Sequence, residues 1–240
     1  MKAILLAAGR GERMRPLTDR TPKPLLPVHG KALIEWHLEA LARAGVREAV
    51  VNTAWLEEQI IARLGDGSRY GLRIAYSLEG RDHGGALETA GGLKKALPLL
   101  TEGGESGAFW YVAADVFAPQ FDFDSQRVAR FERSGLLGQL WMVPNPPQHP
   151  QGDFGIADGL AVSDVADPRG QRFTWSGVAL FKPEFVTLLM AELGPGVKAK
   201  LRPYLDAAIL QRRLGAELLA TAWTDVGTPQ RLEALNREGA

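Results

Sequence analysis

Two sets of residues in this chain have types and spacing that suit chemistry. The first is a glycine-rich stretch with basic residues, Leu6-Ala7-Ala8-Gly9-Arg10-Gly11-Glu12-Arg13-Met14-Arg15-Pro16, continued by Pro22-Lys23-Pro24. Between Arg10 and Lys23 stand Arg10, Arg13, Arg15, Arg20 and Lys23 against only Glu12 and Asp19. In a chain whose 28 basic and 28 acidic residues cancel, that local excess predicts an anionic ligand. Glycines let backbone N–H groups approach phosphate oxygens, arginine brings forked donors and lysine a movable point charge. The plainer alternative is a surface turn with solvated basic side chains. A dinucleotide loop would want a third glycine where Met14 stands, and a P-loop would want Gly-Lys-Ser/Thr, which is absent.

The second set is two carboxylates. Asp115 closes the apolar run Phe109–Ala114, and Asp225 follows an expected last strand, so both are expected at strand carboxyl ends. Mg²⁺ keeps an oxygen shell and is commonly held by one or two carboxylates plus substrate phosphates, so two such aspartates suffice for it. Turn or cap roles are the alternative for each.

These residues need a frame. Apolar runs at 2–8, 48–53, 72–77 and 109–114 alternate with helical patterns at 33–41, 55–64 and 89–97, which predicts a mostly parallel sheet with helices on both faces. An open sheet of this kind binds ligands outside the carboxyl ends of its strands, where the glycine stretch lies. Later, a helix at 122–134 and a strand at 136–143 are expected, then short β segments at 154–156, 161–165 and 171–181. Helices from Pro183 and over 202–212, a strand at 217–222 and a helix from Pro229 capped by Thr228 complete the reading. Residues 103–107 read as a flexible loop.

Composition closes other routes. A pI near 6.9 gives no support for nucleic acid or an anionic membrane surface as partner. The absence of cysteine excludes thiolate metal sites, disulfides and a Cys nucleophile. With no run long enough to span a bilayer and no signal-peptide pattern, a cytoplasmic location is expected.

The segment LAAGRGERMRPLTDRTPKPLLPV resembles the opening of the sugar-1-phosphate nucleotidyltransferases, with Gly9, Gly11, Arg13, Met14, Pro16, Pro22, Lys23 and Pro24 matching in order and spacing. Asp225-Val226-Gly227-Thr228-Pro229-Gln230-Arg231-Leu232 is similar to a second family pattern, and Asp115 to a third, although Ala114 stands where the family usually has glycine. The resemblance covers essentially the whole chain. It implies the nucleotide-diphospho-sugar transferase fold, a Rossmann-like α/β domain over 1–240 with a small β-rich sugar-binding insertion. Residues 1–120 are then mainly nucleotide-binding and 121–240 mainly sugar-phosphate-binding.

The resemblance also implies roles. Arg13, Lys23 and Asp115 are expected to be catalytic, and Asp115 and Asp225 to hold Mg²⁺. Nucleotide contacts are expected from Ala7, Ala8, Gly9, Gly11, Glu12, Arg13, Lys23, Asn52, Glu79, Glu88, Gly91 and Gly92, with the last two letting a base lie against backbone. Asn145, Gly152, Asp153, Ser176 and Gly177 are the sugar-phosphate candidates, with His149 and Arg172 as possible partners of a sugar substituent. A sugar phosphate has a second pKa near ~6, so it attacks already ionised and none of the four histidines is needed as a base. Within the family the segments 86–100, 145–155, 173–184 and 223–232 look like those of compact uridylyltransferases acting on N-acetylmuramic acid 1-phosphate. The expectation is therefore an enzyme using UTP, or another nucleoside triphosphate, and a sugar 1-phosphate, as a monomer or homodimer with no further catalytic domain. A mannose-1-phosphate guanylyltransferase and a nucleotide-sugar-binding regulatory subunit are the alternatives.

Overall fold

The computed structural model describes residues 1–103, 107–163 and 171–237. The first half runs β1 (Lys2–Leu6), β2 (Pro27–Val28), β3 (Lys31–Ala32), α1 (Leu33–Arg43), β4 (Glu48–Thr53), α2 (Glu57–Leu64), β5 (Arg73–Leu78), α3 (Glu79–His83), α4 (Glu88–Thr101) and β6 (Phe109–Ala113). The second runs β7 (Val116–Phe117), α5 (Ser125–Arg133), β8 (Gly138–Val143), β9 (Gly155–Ala157), β10 (Leu160–Val162), β11 (Thr174–Phe181), α6 (Pro183–Leu189), α7 (Arg202–Leu210), β12 (Leu214–Leu218), β13 (Thr224–Asp225) and α8 (Pro229–Arg237).

Nine strands form one sheet in the order β5-β4-β1-β6-β11-β8-β12-β10-β9. Helical crossovers make β5, β4, β1 and β6 mutually parallel, whereas β11 runs antiparallel to β6 and β8. Strand residues alternate between two cores: Ala3, Leu5, Trp110, Val112, Val178 and Leu180 pack on one face, Ile4, Phe109, Tyr111, Ala179 and Phe181 on the other. The first core takes Ile34, Leu38 and Leu41 of α1, Ile60 of α2 and Phe131 of α5; the second takes Leu93 and Leu100 of α4, Phe185 of α6 and Leu205 of α7. Trp110 meets Phe123 edge to face at 5.0 Å, a geometry that adds to the area it buries.

A third cluster matters most for the site. Met14, Leu26, Val28, Leu33, Phe117, Val226, Leu232 and Leu235 bury one another, which fastens the glycine stretch to α8. Asn236 completes the attachment by accepting the His29 N–H at 2.7 Å and donating to the Pro27 carbonyl at 3.1 Å. Register aligns the strand ends: Leu6 stands opposite both Asn52 and Ala113, so Ala7 and Ala114 leave the sheet along one edge, beside Thr53 at the end of β4.

The structure departs from the sequence expectations in several places. The strand expected at 217–222 lies at 214–218, and Asp225 belongs to β13, which pairs with β7 in a separate ladder. Gly215 sits within β12, where a Cβ would collide with Gln139 Oε1. Helix α2 starts at Glu57 rather than residue 55 because Leu56 adopts a left-handed φ of 49°. Helix α3 was not expected. Thr228 caps α8 as expected, its Oγ1 accepting the Arg231 N–H at 3.3 Å. The loop expectation at 103–107 falls largely on residues 104–106, and that for 161–165 partly on 164–165, outside the described residues. Among the described residues no helix is long and apolar enough to cross a membrane.

Candidate active site

A cleft of about 570 Å³ opens at the aligned strand ends. Ala7, Ala8, Gly9, Gly11, Glu12 and Arg13 form one wall, and Lys23, Asn52, Glu88 and Asp115 complete the sequence-expected residues that line it. The glycine stretch holds its shape by folding on itself. Gly11 has φ 68°, and a Cβ there would press within 3.0 Å of Thr18 Cγ2 and 3.3 Å of Lys23 Cβ. Thr18 Oγ1 donates to the Gly11 carbonyl at 2.9 Å across this turn.

The basic residues divide. Arg10 donates to the Thr18 carbonyl at 2.8 Å and to Asp19 Oδ1 at 2.6 Å while its guanidinium lies 3.8 Å from the Trp55 ring centroid. Arg15 Nε lies 3.0 Å from the same Asp19 oxygen. Those two arginines fix the stretch, and Arg10, Arg13 and Lys23 line the cleft whereas Arg15 does not. The Lys23 side chain is 9% exposed and its Nζ donates to Asp115 Oδ2 at 2.7 Å. Burial pushes the Asp115 carboxyl up, but the Lys23 charge and hydrogen bond, with a contribution from Arg13, outweigh it and hold the group below the usual carboxylate range.

Asp115 and Asp225 converge through backbone pairing. Asp225 stands opposite Val116 in the β7–β13 ladder, and the Val226 N–H donates to the Asp115 carbonyl at 3.1 Å. Asp225 Oδ2 accepts from Arg231 Nη1 at 2.6 Å, and Asp225 lines a smaller recess beside Trp223 and Gln148. Both side chains are partly exposed, at 44% and 25%. Two hard, accessible carboxylates, one on β13 and one just before its partner strand β7, would suit a divalent cation whose remaining ligands would come from substrate phosphates. Among the described residues no group of three or more His, Cys, Asp or Glu side chains forms a self-sufficient metal cage. Beneath this ladder His37 is buried and bonds the Val116 carbonyl through Nε2 at 2.7 Å, and burial lowers its pKa.

Other expected residues lie elsewhere. Glu79 is fully buried and does not line the cleft. Gly91 and Gly92 lie close against protein: a Cβ on Gly91 would collide with the Val197 carbonyl oxygen, and one on Gly92 would meet Glu79 Oε1 at 2.5 Å. The sugar candidates are likewise engaged in structure. Asn145 donates to the Pro150 and Arg172 carbonyls at 3.1 and 3.0 Å and accepts from Thr174 at 3.0 Å. Asp153 accepts the Trp175 N–H at 2.8 Å and bonds His149 Nε2 at 3.2 Å, and Arg172 donates to the Asp153 carbonyl. Gly152, at φ 61°, lies where a Cβ would strike Asn145 Oδ1 at 2.5 Å. Ser176 is fully buried, and Gly177, at φ 80°, sits where the β11–β8 register shifts, tight against Ala113 and Val116.

Sequence reading missed Tyr111, Ala113, Ala86 and Lys198, all of which line the cleft. Tyr111 hides in an apolar run, where it stacks on Trp175 with centroids 5.3 Å apart. Lys198 is carried in by backbone bonds, since the Ala199 N–H donates to Leu87 at 3.0 Å and the Ala199 carbonyl accepts from Ala90 at 2.8 Å. The signal available was the glycine in the first turn of α4, which marks that close crossing.

Residues 2–239 match the Nucleotidyl transferase family. The chain belongs to that family. It is 47% identical, over 97% of its length and 96% of the relative's, to the N-acetylmuramate alpha-1-phosphate uridylyltransferase of Neisseria meningitidis serogroup B. The protein of that name from Caulobacter vibrioides is 34% identical over 95% of this chain and 92% of the relative. A Bacillus anthracis structure described as a glucose-1-phosphate thymidylyltransferase superposes with a TM-score of 0.82 over 99% of this chain and 94% of that one, at 20% identity, and this likeness concerns the fold. The nucleotidyltransferase fold thus carries its glycine stretch, lysine and first aspartate into one cleft.

Proposed function

We propose that this nucleotidyltransferase transfers the uridylyl group of UTP to N-acetylmuramic acid 1-phosphate, giving UDP-N-acetylmuramic acid and pyrophosphate. The observation that carries the reading is the Lys23–Asp115 pair in a cleft walled by the glycine stretch, in a chain 47% identical to a relative named for that activity. Backbone groups from Ala7 to Gly11 approach the triphosphate. Lys23 and Arg13 neutralise charge that shifts toward the departing pyrophosphate, the kind of stabilisation that counts most when it strengthens in the transition state. The sugar phosphate oxygen attacks the α-phosphorus already ionised, so the protein aligns nucleophile and leaving group and abstracts no proton. Asp115 and Asp225 are the residues that would hold Mg²⁺, which when bound would supply charge neutralisation on the phosphates.

Four nucleoside triphosphates against a panel of sugar 1-phosphates, read as pyrophosphate release, test the proposal. The expected result is highest kcat/KM for UTP with N-acetylmuramic acid 1-phosphate. Faster turnover of mannose 1-phosphate with GTP overturns the named substrates.

A further inference from the structure

Glu79 has no exposed surface, yet its carboxylate ties together both walls of the nucleotide end of the cleft. Oε1 accepts from Asn52 Nδ2 at 2.6 Å, and Asn52 Oδ1 accepts the N–H of Ala7, where the glycine stretch begins, at 2.7 Å. Oε2 accepts the Leu87 N–H at 2.7 Å, and the Leu87 carbonyl accepts from Ala199 at 3.0 Å. Leu87 is therefore fixed at both of its polar backbone groups. The next residue, Glu88, is held at φ 59°, a left-handed conformation that a side-chain-bearing residue keeps only where its surroundings impose it. Ala86, Glu88 and Thr89 form that wall of the cleft. Gly92 closes the arrangement from behind, since a Cβ there would come within 2.5 Å of Glu79 Oε1 and 2.7 Å of Asn52 Nδ2.

We infer that Glu79 is a positioning residue for nucleotide recognition: it fixes the Ala7 wall and the Leu87–Glu88 wall at one separation, and so governs nucleotide affinity and base choice without touching the nucleotide. The inference rests on the proposed reading that a nucleoside triphosphate fills this end of the cleft. Its chemistry is specific to a carboxylate. Both oxygens accept from N–H donors, and a glutamine in the same space must turn an NH₂ toward one of them, breaking one arm while preserving volume.

The test compares Glu79→Gln and Gly92→Ala, which disturb the same network from opposite sides, by steady-state kinetics with each substrate varied. Both variants should raise the nucleotide KM roughly tenfold or more and narrow the UTP-to-GTP preference, with the sugar-phosphate KM and saturated kcat within about twofold, because wall misplacement of a fraction of an ångström acts on the bound nucleotide. The double variant should add little to either single change. Equal rises in both KM values, a loss confined to kcat, or a lowered melting temperature with unchanged nucleotide KM would each overturn the positioning role. If Gly92→Ala yields no folded protein, Glu79→Asp, which keeps the charge but is too short to reach both Asn52 and the Leu87 N–H, takes its place. A wild type that prefers GTP would remove the uridylyl reading, and the split between the two KM values, measured with GTP, would still decide the role of Glu79.

Discussion

Lys23 and Asp115, 92 residues apart in the chain, meet as an ion pair with Nζ 2.7 Å from Oδ2. A short helical turn after Pro22 brings the lysine in, and the gap between β6 and β7 presents the aspartate. The pair joins the two sequence motifs whose separate meanings are ambiguous. A buried ammonium beside a glycine-rich cleft wall is suited to following charge as it moves onto a leaving group.

Alanine at Lys23 or Arg13 should therefore lower kcat by roughly 100-fold or more, the scale seen when a charge-stabilising donor is lost. Arg13 is exposed, so Arg13→Ala should leave the melting temperature nearly unchanged, whereas Lys23→Ala removes the partner of Asp115 and should lower it. Separate measurement of kcat and KM checks the point: a change in KM alone assigns both residues to ground-state binding.

Asp115→Asn and Asp225→Asn should each cut turnover by orders of magnitude with circular dichroism unchanged. Chelation by EDTA should abolish pyrophosphate release and added Mg²⁺ restore it. Near-normal rates for either variant at saturating Mg²⁺ would remove that carboxylate from the metal site. Arg231→Lys supplies a further reading of the second carboxylate, because Arg231 orients Asp225 through its Oδ2 and its carbonyl, at 2.6 and 3.1 Å. A raised requirement for Mg²⁺ at little cost in saturated kcat is expected.

The parallel half of the fold was legible because its strands are short apolar runs separated by helices of clear period, and the glycine stretch was legible because its charge stands out from a neutral chain. The rest was local. Asn145, Asp153 and Ser176 stand among prolines and glycines, and the sequence carries no mark that hydrogen bonds tie them to one another's neighbours and to β11. Gly92 pointed to a close approach, and sequence could not say that Glu79 rather than a base fills the space. Lys198 reaches the cleft through backbone bonds of Ala199, which no side-chain pattern encodes.

Glu35 gives a prediction on pH. Burial pushes this carboxyl up, but hydrogen bonds from Arg63 at 3.0 Å, Tyr70 at 2.6 Å and the Ala32 N–H at 3.0 Å outweigh it, so its pKa falls below the ordinary 4.5. A lowered folded-state pKa contributes stability above the unfolded value and loses it as pH falls through the folded one. Arg63 and Arg69 are about half exposed, which screens the ion pairs, so Glu35→Gln should cost about 1–3 kcal/mol at pH 7. Thermal melts from pH 7 downward should show the gap between wild type and variant shrinking below about pH 5. A constant gap would mean that the loss comes from packing.

The last prediction sets Asp153, which reaches the cleft through Trp175 and Tyr111, against Lys198, which lines it. Asp153 holds the Trp175 N–H at 2.8 Å, Trp175 stacks on Tyr111, and Tyr111 lines the cleft. Removing the carboxylate leaves a backbone donor and a histidine without their partner, a loss of about 1–3 kcal/mol, and loosens the aromatic pair. Asp153→Ala should then lower the melting temperature and raise the sugar-phosphate KM several-fold, with little change in the UTP KM. Lys198 is exposed, so Lys198→Ala should leave stability unchanged and alter KM values for one or both phosphorylated substrates through lost charge. Melting curves set beside the two KM values separate these cases. An Asp153→Ala protein with wild-type stability and a sugar KM raised beyond about 100-fold would mean that the carboxylate meets the sugar itself, since the loss of a substrate-facing polar group produces discrimination on that scale without unfolding the site.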